Sequence, residues 1–111
     1  MQIKEQRHGA VTILAPQGPL CLTDAEEFEQ KATDAMGRTM GRIVVDLAQT
    51  PYVDSRGLEA LLTVTEQLAQ SGRVLKLCAA VETVREILEL TDLSASFEHY
   101  ADANSAVRSF L

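Results

Sequence analysis

The chain has 111 residues, 46% of them hydrophobic, with 16 acidic side chains against 10 Lys and Arg and a formal net charge of −6. That length supports one domain around one core, and the apolar content is too high for disorder. No apolar stretch approaches the roughly 20 residues that cross a bilayer, and the scattered cations argue against nucleic acid and anionic lipid, both of which reward clustered Lys and Arg.

The first seven residues, Met1-Gln2-Ile3-Lys4-Glu5-Gln6-Arg7, hold no secretory core, so export is not expected. Cys21 and Cys78 lie far apart, match no metal spacing and sit beside apolar residues. They read as small core hydrophobes of a protein kept in a reducing cytoplasm. Ile3-Lys4-Glu5 and Val11-Thr12-Ile13-Leu14 flank His8-Gly9, which predicts two strands joined by a tight turn. Pro16-Gln17-Gly18-Pro19 is expected to break the second strand. Thr23-Asp24-Ala25-Glu26 has the form of a capping box, with Thr23 as cap and Glu26 reaching back. Ala25, Phe28, Ala32, Ala35 and Met36 then recur at helical spacing, and Gly37 and Gly41 bracket the end of that helix.

Ile43-Val44-Val45-Asp46-Leu47 is short, β-branched and apolar on both faces, the mark of a central strand covered by helices. Asp46 falls at its C-terminal end. There it either faces a binding crevice of the sheet or bonds to a neighbouring loop. Leu58, Leu61, Leu62, Thr65, Leu68 and Ala69 form one helical stripe, which Ser71-Gly72 ends. A strand over 74–79 follows, then a helix marked by Val81, Val84, Ile87, Leu88 and Thr91, an extended piece near 97–100, and a last helix that Asp102 caps. The order is α/β. Its crossovers demand parallel pairing, and the opening turn adds one antiparallel edge pair.

Between the central strand and the Leu58 stripe lies Tyr52-Val53-Asp54-Ser55-Arg56-Gly57. A hydroxyl stands where a loop enters a helix, beside unpaired N–H groups and a partial positive charge that favour an anion such as phosphate. Ser55 is therefore either a helix cap or a phosphorylation site. Asp54 is a turn or cap residue, or helps orient the hydroxyl. Gly57, in the first helical turn, implies a close approach, either by a partner backbone or by packing inside the fold. Arg56 pairs with a phosphate or stands in solvent. His8 and His99 are isolated, and no nucleophile–base set, phosphate-cradling loop or metal cluster is present, so no enzyme activity and no cofactor are expected.

The element order and the Asp54-Ser55-Arg56-Gly57-Leu58 junction resemble the STAS domain, the family of bacterial anti-sigma factor antagonists. Gly18 after the second strand, the Val44–Leu47 strand, and Gly72 before Val74-Leu75-Lys76-Leu77 extend the likeness over essentially the whole chain. The resemblance implies one STAS domain over residues 1–111, a mixed, mostly parallel sheet of four to five strands, and about four helices. It also implies that Ser55 is phosphorylated by a partner kinase, itself the anti-sigma factor, and that a serine phosphatase reverses the mark. The unphosphorylated form would bind that kinase and free a sigma factor. Asp54, Ser55, Arg56, Gly57, Cys21 and Asp24 are the partner-binding residues it implies. Two positions depart from the family: Cys21 stands where an acid is common, and Arg56 where a small residue is common. The alternative is a STAS subunit that braces another assembly, such as a lipid-transport ATPase or a stress-signalling complex, without phosphate control.

Overall fold

The computed structural model describes residues 1–111. Two strands open it, β1 (Gln2–His8) and β2 (Val11–Gln17), followed by α1 (Leu22–Thr39), β3 (Ile43–Asp46), α2 (Ser55–Ala69), β4 (Lys76–Cys78), α3 (Glu82–Leu90), β5 (Glu98–Tyr100) and α4 (Ala103–Arg108). A single turn of 3-10 helix, Ser94–Ser96, precedes β5. The five strands form one sheet in the order of the sequence. β1 and β2 pair antiparallel and every other pair is parallel. This is the mixed α/β architecture that the sequence predicts.

With strands in sequence order, right-handed crossovers send α1, α2 and α3 to the same face. Leu14, Phe28, Val45, Leu61, Leu77 and Leu88 pack there in one buried cluster. The opposite face belongs to α4, where Val11, Ile13, Val44, Cys78 and Ala106 form a smaller cluster. β3 feeds both, Ile43 and Val45 to one side and Val44 to the other, as an apolar central strand must. Asp46 closes β3 with its Oδ1 accepting the Ala48 N–H at 3.0 Å, the loop-bonding role. Leu47, one residue beyond β3, is still fully buried and donates its N–H to the Cys78 carbonyl.

Several boundaries differ from the expectations. β2 runs through Pro16 to Gln17. Its ladder with β3 ends at Leu14, so the missing proline N–H is not needed there. α1 begins at Leu22 with Cys21 as cap and no side-chain bond, so the Thr23–Glu26 capping box does not form. Cys21 is thus half-exposed at a helix start instead of in the core, whereas Cys78 is buried. Gly37 lies inside α1, and Met40 takes the left-handed C-cap at φ 56°. β4 is trimmed to Lys76–Cys78: the Leu75 N–H goes to Thr65 Oγ1 before it, and Ala79 turns out of the strand at φ 54° after it. On α2, Leu58, Leu61, Thr65 and Leu68 are buried, Leu62 is half-buried against the core and Ala69 is exposed. Ala60 and Val64 are buried too, because α2 packs on α1 as well as on the sheet.

Candidate partner-docking site

Two loops that are distant in sequence are joined at the entrance to α2. Leu20 donates its N–H to the Tyr52 carbonyl at 3.1 Å, and the Leu20 carbonyl accepts the Asp54 N–H at 3.3 Å. These bonds make a parallel bridge between Leu20 and Val53, both buried. Cys21 is therefore carried beside Asp54 and Ser55, and α1 and α2 start from neighbouring points.

Gly57 explains why the loops can close. A Cβ at this position would run into the Leu20 carbonyl oxygen and sit 3.0 Å from its carbon and 3.3 Å from the Val53 Cβ. The glycine serves close packing inside the fold; a partner backbone is not needed to account for it. Its N–H goes to Asp54 Oδ1 at 2.8 Å. Asp54, in extended conformation, is thereby the N-cap of α2, and its own carbonyl accepts the Leu58 N–H at 2.9 Å.

That assignment changes the standing of Ser55. It is the first helical residue, not the cap, and its exposed hydroxyl bonds to no atom of the fold. The N–H groups of Ser55 and Arg56, the first two of the helix, have no acceptor four residues back. A hydroxyl without structural duty thus stands at the positive end of a 15-residue helix whose first turn contains no acid.

In the unphosphorylated chain Arg56 does not stand free in solvent. Its two terminal nitrogens lie 3.4 Å from Glu29 Oε2 on α1, and Nη1 lies 4.0 Å from Glu59 Oε1 one turn along α2. The helix points consecutive side chains in different directions, so Arg56 meets α1 while Ser55 meets solvent. Asp24, in the first turn of α1, is 3.4 Å from the Met1 amine. Cys21, Asp54, Ser55 and Gly57 therefore converge through the paired loops, Arg56 turns aside from them, and Asp24 has an ionic partner of its own.

Two exposed apolar side chains flank the junction: Leu22 at 71% exposure, held at φ 49°, and Tyr52 at 48%. Neither is marked in the sequence, where Leu22 reads as the residue before a helix. Glu29 is equally unmarked, since nothing local ties it to Arg56. No three His, Cys, Asp or Glu side chains gather to hold a metal ion, and no helix is long and apolar enough to cross a membrane. The paired loops thus carry exposed apolar side chains and one free hydroxyl.

The profile of the STAS domain matches residues 2–106. BtrV of Bordetella bronchiseptica, assigned as an anti-sigma factor antagonist, is 27% identical over 110 residues, covering 99% of this chain and 95% of its own. A Thermotoga maritima protein with the same assignment superposes with a TM-score of 0.88 at 22% identity, over 96% of this chain and 92% of its own. The anti-sigma factor antagonist SpoIIAA in its unphosphorylated form gives 0.81 at 16% identity over 98% and 96%. Its phosphorylated form, from Bacillus, gives 0.74 at 15% over 99% and 100%. With the profile spanning nearly its whole length, this chain belongs to the STAS domain family.

Proposed function

We propose that this protein is an anti-sigma factor antagonist whose binding to an anti-sigma factor kinase is switched off by phosphorylation of Ser55. One observation carries the reading: Asp54 takes over the capping of α2 and leaves the Ser55 hydroxyl exposed and unengaged at the helix start. The names of the relatives support the same role. The kinase supplies ATP and the catalytic base, the Ser55 oxygen takes the γ-phosphoryl group, ADP leaves, and the hydroxyl proton passes to the kinase. A serine phosphatase returns the hydroxyl by hydrolysis. The added charge of about −1.5 to −2 falls where the helix dipole favours it, so the fold persists and the docking surface changes. Exposed Leu22 and Tyr52, on the two paired loops, would supply apolar contact.

Titration calorimetry of the cognate kinase with variants tests this. Ser55→Ala should bind like the parent chain and take up no phosphate on incubation with ATP. Ser55→Asp should bind at least tenfold more weakly, about 1.4 kcal/mol. Equal affinity of the two variants would leave a STAS scaffold without phosphate control as the better reading.

A further inference from the structure

We propose that Glu29, on α1, is a positioning residue for the Ser55 switch: it reserves the Arg56 guanidinium, so that a phosphate on Ser55 presents its full charge to a docking partner. The inference rests on Ser55 being the switch. Arginine pairs strongly with phosphate when free to do so, because its planar fork matches two phosphate oxygens at once. An arginine directly following a phosphoserine, on a long flexible stem, is therefore a threat to a switch that works through exposed negative charge.

The structure answers that threat on α1. Glu29 Oε2 accepts from both terminal nitrogens of Arg56 at 3.4 Å, and Glu59 backs the same guanidinium at 4.0 Å. Arg56 keeps 31% of its side-chain exposure and Glu29 27%, so the pair is screened less than one in open solvent. The helix already directs residue 56 away from residue 55. Glu29 adds an anion at the place to which Arg56 points, and bending back to Ser55 would leave Glu29 and Glu59 both without their cation. A residue 26 positions before Ser55 in sequence thus sets the charge that a partner meets at Ser55.

The test uses the full chain with phosphoserine installed at position 55 during translation, so that it does not depend on a kinase. Phosphorus NMR follows the second ionisation of the phosphate, ordinarily near pH 6. In the Glu29→Gln, Glu59→Gln double variant, Arg56 is released to the phosphate, and this ionisation should fall by at least about 0.3 pH units relative to the parent, as a nearby cation favours the dianion. Adding Arg56→Ala should abolish the fall. The ratio of phosphorylated to unphosphorylated affinity for the kinase should recover by at least threefold in the double variant, a comparison that cancels any direct contact of Glu29. An unchanged phosphate ionisation in the double variant would overturn the proposal. So would an Arg56→Ala change that raises the phosphate ionisation by as much in the parent as in the double variant, because Arg56 would then already have crossed to the phosphate. If phosphoserine at 55 left kinase affinity untouched, the switch reading itself would fall, and the ionisation data would still judge what Glu29 does to Arg56.

Discussion

At position 57 there is no room for a methyl group, because the Leu20 carbonyl and the Val53 side chain already occupy the space. Gly57→Ala would push the Leu20 carbonyl away and strain the bridge that joins the two loops. Overpacking of this kind costs about 1–3 kcal/mol, and urea unfolding should show a loss in that range. Asp54→Ala should cost about 1 kcal/mol and Asp54→Asn much less, since asparagine caps nearly as well. Ser55→Asp, in contrast, places a negative charge in a first turn that lacks one, which should leave stability unchanged or raise it by about 0.3–1 kcal/mol. Thermal melts of these four variants thus separate an expected loss of docking from a loss of folding. Asp54 and Ser55 are both good caps by composition, and nothing local chooses between them. The choice falls to the Leu20 carbonyl, which takes the Asp54 N–H and fixes where the helix begins. Arg56 was legible as an unusual residue, but its partner Glu29 was not, because the α1–α2 packing that brings them together is tertiary.

Elements whose signals are local were legible in the sequence, and those shaped by tertiary pairing were displaced. The β1–β2 hairpin follows from Gly9, which at φ 63° holds the first position of a two-residue turn. The cap of α4 follows from Asp102, whose Oδ1 accepts the Ser105 N–H at 2.7 Å. The start of α1 does not follow from Thr23, because the chain leaves the Leu20–Val53 bridge and coils at once. The α4 face also carries groups whose ionisation the fold shifts. Burial, with Asp46 and Asp102 nearby, pushes the Cys78 thiol from 9.0 up to about 12. The folded chain then holds this proton more tightly than the unfolded chain. Its contribution is whole below about pH 9 and is lost as the pH climbs through about 12. Cys78→Ala should flatten the alkaline limb of the stability profile, and in the native protein a thiol reagent should label Cys21 and spare Cys78. Glu98 behaves with the opposite sign. Its bonds from Lys76 at 2.7 Å and from the Tyr100 hydroxyl at 2.8 Å hold its carboxyl below the usual range. What Glu98 adds is present above the ordinary carboxylate range and is lost as the pH falls through the lowered value, so Glu98→Gln should blunt the acid limb.

At the scale of the whole molecule, charge bears on how a phosphate at Ser55 would act. The chain already carries −6, and phosphorylation would bring it to about −8. An acidic protein is steered toward basic surfaces, and a more acidic one is steered harder. If long-range attraction governed the complex, phosphorylation would speed association with a basic partner and tighten it. On the proposed switch, release would therefore come from the immediate surroundings of Ser55, near exposed Leu22 and Tyr52 and the paired loops. The two effects separate in kinetics, because steering acts on association and close contacts act on dissociation. Ser55→Asp should dissociate from the kinase at least tenfold faster than Ser55→Ala while associating at a rate within about twofold of it. Raising salt from about 0.05 to 0.5 M shortens the screening length well below the size of this domain. It should change both association rates together and leave most of the dissociation gap in place. A gap lying chiefly in association, and closing as salt rises, would instead make the switch a matter of bulk charge and remove the special standing of the α2 entrance.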